Sequence, residues 1–183
     1  LARGEWIKLY AALLNEEEKA NELFSEQTAH LDALSDNAST NKTVAFFHIS
    51  SSGFVVARKS GDYVSKMIEL AGGKYVFENL GDPDKDTSTV TVEMETFYEI
   101  AKDADFIIYN STIGGEIKTM EEFLSLSGLL KNFKAVKTGN VWCTSENMFQ
   151  ESLQLGRMIG DFNAIFTDNT ENINGVRYLH KLK

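Results

Sequence analysis

Apolar residues recur every three or four positions across residues 4–36, at Trp6, Leu9, Tyr10, Leu13, Leu14, Ala20, Leu23, Phe24, Leu31 and Leu34. That period fits a helix and not a strand. No glycine or proline interrupts it between Gly4 and Asp36. At ~1.5 Å per residue, a helix of this extent spans roughly 45 Å. A compact domain of this size is only about 40 Å across. The pattern therefore predicts a rod that lies along the whole body or reaches past it.

The rest of the chain changes rhythm. Residues 35–42 (SDNASTNK) form a polar turn stretch. Residues 43–49 (TVAFFHI) are a continuous β-rich run, read as a buried strand that empties into Ser50-Ser51-Ser52-Gly53. Residues 62–70 are helical, with Val64, Met67, Ile68 and Leu70 on one side, and Ala71-Gly72-Gly73 stops them. A second strand at 74–77 precedes an acidic loop at 81–89. A third helix over 94–102 leads to a central strand at 105–109 (DFIIY), followed by the loop NSTIGG at 110–115. Residues 121–130 read as helical in one or two pieces, and 140–143 (NVWC) as a fourth strand.

A last helix over 152–166 carries Leu155, Met158, Ile159, Phe162, Ile165 and Phe166 on one face. Gly156 and Gly160 cost it propensity, which a close approach to the sheet or the long helix would offset. Residues 176–182 are a final extended segment. Strands alternating with helices predict βαβ units, right-handed crossovers and a parallel sheet sandwiched by helices. Ligands bind such sheets at the carboxyl ends of the strands. Here those ends open into loops beginning at Ser50, Leu80, Asn110 and Thr144.

Composition narrows the class. The 183 residues are 43% hydrophobic, enough for one domain with a real core. No apolar run approaches the ~20 residues of a membrane helix. A net charge of −9 and the lack of any basic stretch argue against nucleic acid. Cys143 is the only cysteine, so neither an internal disulfide nor a CxxC site exists. The chain starts at Leu1 with no visible signal peptide. It is expected to be a fragment or processed form, with any targeting segment upstream.

Catalytic patterns fail one by one. A nucleophile elbow at Ser51 would need glycine two positions upstream, where Ile49 stands. His30, His48 and His180 have no metal-ligand spacing. Asp82, Asp84, Asp86, Ser88 and Glu93 match the spacing of a calcium loop, but Thr87 replaces its essential glycine. Residues 110–115 look like a phosphate cradle but lack both GxGxxG spacing and a Walker lysine. More telling is the basic pair Arg58-Lys59 in an acidic chain, with Phe54, Tyr63, Met148 and Phe149 at the same edge. Arg58 can grip a carboxylate or chelate oxygen, and aromatics beside a cation make a small-molecule wall. The expected catalytic and metal-ligand sets are both empty.

Four stretches, GEWIKLYAALLNEE (4–17), FFHISSSGFVVARKSGDYVSKMIELAGGKYVF (46–77), KDADFIIYNSTIGG (102–115) and FKAVKTGNVWCTSENMFQESLQLGRMIGDF (133–162), together resemble one family. It is the class III, helix-linked substrate-binding proteins of ABC importers, the iron-siderophore, haem and cobalamin group. The chain is similar to the carboxy-terminal lobe of that family plus its linker helix. The resemblance implies an α/β fold, a three-layer Rossmann-like lobe (37–183) with a central, mostly parallel sheet, preceded by a long interlobe helix (1–36). An amino-terminal lobe and a lipoprotein signal, usual in the family, are not in this sequence.

The resemblance further implies a non-enzymatic, monomeric binding protein outside the cytoplasm, periplasmic or extracellular, held to the membrane through a lipid anchor upstream. Its cargo would be a metal chelate, foremost a ferric siderophore, with haem or a corrinoid as other members of the group, and it would need no cofactor. Ligand contacts carry over to Ser52, Phe54, Arg58 and Tyr63 after the first strand. Asn110 and Ser111 follow after the central strand, and Asn147, Met148 and Phe149 after Trp142. Permease docking carries over to Glu95, with Glu93 as its alternative. Two rivals stand beside this reading. One is a cytoplasmic α/β enzyme or nucleotide-binding module using 110–115. The other is an interaction module whose long helix pairs with a partner.

Overall fold

The computed structural model describes residues 2–35, 39–81, 87–168 and 175–183, with the side chains of residues 2, 3, 30–35, 146 and 147 outside the description. The acidic-loop residues Asp82, Asp84 and Asp86, and the tail positions 169–174, therefore lie outside the described residues.

The amino-terminal rod is two helices, not one. Helix α1 spans Ala2–Leu14 and α2 spans Glu17–Ser35. Between them Asn15 takes a left-handed φ of 57°, a conformation asparagine tolerates better than most residues. The Glu16 N–H then bonds back to the Ala11 carbonyl at 2.9 Å, closing α1 as a left-handed helix cap does. The Ala20 N–H bonds the Glu16 carbonyl and opens α2, whose first turn holds Glu17 and Glu18, favourable at a helix amino end. Helix α1 folds back on α2, with Gly4 facing the Phe24 ring and the Lys8 ammonium 3.9 Å above it. The expected single 45 Å helix is thus corrected to a helical hairpin.

The lobe behind it follows the alternation. Strand β1 is Thr43–Ile49, β2 Val55–Arg58, and helix α3 Tyr63–Leu70; β3 is Lys74–Tyr75 and β4 Thr89–Val92. Helix α4 is Met94–Ala101, β5 Phe106–Tyr109, α5 Met120–Ser125 and α6 Lys134–Lys137. Strand β6 is Val141–Thr144, α7 Leu155–Thr167 and β7 Leu179–Lys181. The sheet order is β4-β2-β1-β5-β6-β7, with β3 also pairing β1. β3, β1, β5 and β6 pair in parallel, while β2, β4 and β7 join antiparallel at the edges. Residues 55–58 and 90–92, given no element in the sequence reading, and Thr89, placed in the acidic loop, therefore form an added edge ribbon.

Register sorts the core into three layers. Phe47 stands beside Tyr109 across β1 and β5, and both rings meet Phe123 of α5. Phe47 also lies 4.3 Å from Phe97 of α4. On the other face Phe106 packs edge-on against Phe166 of α7, and Val44 and Ile68 crowd Gly73. Helices α4 and α5 thus cover one face, and α3 and α7 the other, as the 2.0 strand period requires.

Helix α3 shows its ends clearly. The Asp62 carboxylate accepts the Val64 N–H at 2.9 Å as an N-cap. Gly72 (φ 84°) then lets the Gly73 N–H reach the Ile68 carbonyl at 3.0 Å. Among the described residues no helix is long and apolar enough to cross a membrane.

Candidate ligand-binding edge

Strands β1, β5 and β6 run in parallel, so their carboxyl ends share one edge. The register Ile49↔Val55↔Val92 extends that edge through β2 to β4. Each loop there has its own brace.

The first is a tight hairpin. The Ser50 N–H bonds the Phe54 carbonyl at 2.8 Å, the Gly53 N–H bonds the Ser50 carbonyl at 2.9 Å, and Gly53 sits at φ 85°. A left-handed residue here requires glycine or a strained substitute. The turn leaves Ser52 and Phe54 exposed, with the Ser50 and Ser52 hydroxyls 3.0 Å apart.

The loop after β5 works differently. Asn110 and Ser111 are almost fully buried. Asn110 Oδ1 accepts from the Thr112 hydroxyl at 2.6 Å, and the Ser111 N–H donates to Thr144 Oγ1 at 3.0 Å. The Ser111 hydroxyl also donates to the Thr144 carbonyl. Asn110 ties the loop after β5 to itself and Ser111 ties it to the end of β6, leaving Ile113-Gly114-Gly115 exposed. This loop does not run straight into a helix. Helix α5 is capped by Thr119, and Glu122 Oε2 accepts the Lys118 N–H at 2.8 Å. The amino end of α5 is thus occupied by the protein's own Glu122 carboxylate.

The third loop carries the aromatic wall. Met148 is buried in the core. Phe149 is half-buried and meets Tyr63 edge-on at 6.4 Å between centroids. The Arg58 guanidinium lies 5.6 Å from the Phe149 centroid, within cation–π range. Asn147 belongs to a short 3-10 turn, Glu146–Phe149, and its side chain lies outside the described residues. The loop is pinned to the tail through Glu151, which accepts from the Tyr178 hydroxyl at 2.5 Å and from Arg177 at 2.9 Å. Burial, then Glu151, pushes the Tyr178 phenol up to about 12.

Arg58 itself is not on a loop. It ends β2, where the Tyr75 hydroxyl donates to its carbonyl at 2.7 Å. Its Nη1 lies 3.5 Å from Asp62 Oδ2, with only 18% and 5% of the two side chains exposed. His48, on the same sheet face, is held below its ordinary pKa by burial and then by the Arg58 charge. Asp62 is the residue that sequence reading missed. The signal was there, since an aspartate before YVSKMIEL reads as an N-cap four residues beyond an arginine.

Glu93 is the exposed N-cap residue of α4 and Glu95 lies exposed in its first turn. Both sit on the rim, next to the end of β4. Among the described residues, no three His, Cys, Asp or Glu side chains converge to hold a metal ion.

The edge thus gathers hydroxyls, aromatic rings and a paired cation. The comparisons give the family. Residues 2–147 match the periplasmic binding protein family, and the chain belongs to that family, whose members are non-enzymatic binding proteins. An uncharacterised lipoprotein of Methanocaldococcus jannaschii is 30% identical over 155 residues, covering 84% of this chain but 36% of its own length. The chain thus spans about a third of that relative.

Two solved structures share the fold. An ABC transporter substrate-binding protein from Listeria monocytogenes aligns with a TM-score of 0.66 at 20% identity, over 91% of this chain and 64% of that one. A protein of an ABC-type Fe3+-hydroxamate transport system from Saccharomonospora viridis gives 0.71 at 15% identity, over 89% and 54%.

Proposed function

We propose that the chain forms one lobe of an extracytoplasmic substrate-binding lipoprotein that captures a ferric siderophore and delivers it to an ABC permease. The observation that carries this is the wall at the carboxyl edge of the sheet, where Arg58, Tyr63 and Phe149 meet. Phe54, Tyr63 and Phe149 would pack against the organic body of the chelate, while Ser52 and the remaining N–H donors of Arg58 would hydrogen-bond its rim. Asn110 and Ser111 would shape the loop behind. The iron-hydroxamate transport protein with the same fold, and the lipoprotein relative, support this reading.

The cleft is completed by a second lobe. The relative is nearly three times as long as the stretch it shares. Helix α1 also leaves Trp6, Leu9, Tyr10, Leu13 and Leu14 between 51% and 76% exposed, a surface suited to a companion lobe. Glu93 and Glu95 would meet permease arginines from the rim. The test is a titration of the two-lobe protein with a ferric hydroxamate, haem and cobalamin, read by tryptophan fluorescence. Saturable quenching by the hydroxamate is expected, and silence toward all three overturns the proposal.

A further inference from the structure

We propose that Asp62 sets the charge of the accepted cargo: by pairing with Arg58 it cancels that cation, so this lobe takes a chelate of zero net charge rather than an anionic one. The inference rests on the proposed chelate-binding function and names the substrate class more narrowly.

Asp62 is not a casual surface partner. One carboxylate oxygen is fixed by the Val64 N–H at 2.9 Å and the other faces Arg58 Nη1 at 3.5 Å. The backbone is held as well, since the Asp62 N–H bonds the Lys59 carbonyl and its own carbonyl accepts the Lys66 N–H. With 5% of its side chain exposed, the carboxylate has no room to swing toward water when cargo arrives. A buried pair of this kind is costly to break on one side, because the remaining charge is left without compensation.

Among the described residues, the other basic groups around the edge are engaged elsewhere or disfavoured as cations. Burial, then the Arg58 charge, disfavours the charged form of His48. Arg177, in the tail that pins the third loop, is joined to Glu151 at 2.9 Å. Lys59 extends its side chain alongside Gly81, beside β4. The chain as a whole carries −9, a field that repels an anionic chelate as it approaches. What remains at the edge is the apolar Tyr63–Phe149 wall and the exposed Phe54 ring, a surface that favours an uncharged organic shell.

The experiment compares two ferric probes on the two-lobe protein by calorimetry, ferrichrome (a neutral trihydroxamate) and ferric enterobactin (a trianionic tricatecholate). The unaltered protein is expected to hold the neutral probe at least about tenfold more tightly. Asp62→Asn keeps an oxygen for the Val64 N–H, since asparagine caps as well as aspartate, yet removes the compensating charge. The affinity ratio should then move about tenfold toward the trianion, the size of one charge contact. Arg58→Gln gives the opposite sign, moving the ratio further toward the neutral probe, and serves if Asp62→Asn does not fold. An unaltered protein that prefers the trianion, or a ratio unmoved by both changes, overturns the role of Asp62. Binding of neither probe by the unaltered protein removes the chelate-binding reading itself, and this inference with it.

Discussion

Gly156 and Gly160 look alike in sequence, two glycines one helical turn apart, yet the structure gives them opposite meanings. A Cβ on Gly156 would come 2.2 Å from the Gln27 carbonyl oxygen of α2, whereas one on Gly160 meets nothing within 4 Å. Backbone cannot yield as a flexible side chain does, so Gly156→Ala must push α2 off α7. A loss of about 2 kcal/mol or more is expected, in the range of overpacked cores. Gly160→Ala should be neutral or stabilise by up to about 1 kcal/mol through helix propensity. Thermal melts of the two variants check this, and equal Tm values would contradict the close approach.

A second residue-scale prediction concerns acid. Burial alone would raise the Asp105 pKa, but Lys134 at 2.7 Å and the Thr43 N–H and hydroxyl at 2.9 and 3.0 Å outweigh it, leaving the group below its ordinary value. A carboxyl depressed by folding contributes stability above its unfolded pKa, ~3.9, and that contribution disappears as pH falls through the folded value. Urea midpoints should therefore drop on going from pH 5 toward pH 2, and Asp105→Asn should start lower at pH 7 and flatten that drop. A variant with the same acid slope as the parent would remove Asp105 from the account.

At the scale of elements, the lesson lies in which ones the sequence made legible. Strands β1, β5 and β6 and helices α3, α4 and α7 follow from runs of apolar residues whose period is local. The edge ribbon β2–β4 does not, because VVAR and TVTV are short and half-buried, and their pairing is decided by partners more than thirty residues apart in the chain. The break in the first helix was legible in principle. Asn15 followed by three glutamates is a helix stop and a helix start written together, but an unbroken apolar period hid it. Asn15→Gly should preserve the bend, whereas Asn15→Ala, strained at φ 57°, should cost it about 1 kcal/mol. Small-angle scattering would show the difference as a longer maximum dimension in the alanine variant alone.

On the candidate edge, the aromatic wall was readable from residue type and position, while the internal use of Asn110 and Ser111 was not. Asn110 turns to Thr112 in its own loop, while the Ser111 partner Thr144 lies 33 residues away, and only the parallel pairing of β5 with β6 brings it within reach. The same limit applies to Arg58. Its residue type announces a cation, but whether that cation is free depends on the turn that returns Asp62 to it.

For the whole molecule, the question is what covers α1. Five large apolar side chains on a helix in an otherwise acidic, well-packed chain are a surface of the kind that is buried in a larger assembly. Beside them runs a shallow apolar groove lined by Trp6, Ile7, Tyr10 and Leu153. If a companion lobe is the natural cover, the 183-residue chain on its own should associate through that face, because no described residue hides it from water. Leu13→Glu combined with Leu14→Glu should then shift it to monomer in sedimentation experiments. These two side chains are 76% and 73% exposed beside the Asn15 turn, so the α/β lobe should keep its Tm.

The two-lobe protein gives the contrasting result. It should be monomeric before any change, and the same two glutamates should lower its stability by several kcal/mol, since each would bury a charge without a partner. A chain that stays monomeric while its two-lobe form is indifferent to both glutamates would mean that α1 faces water by design and that the cleft is completed elsewhere.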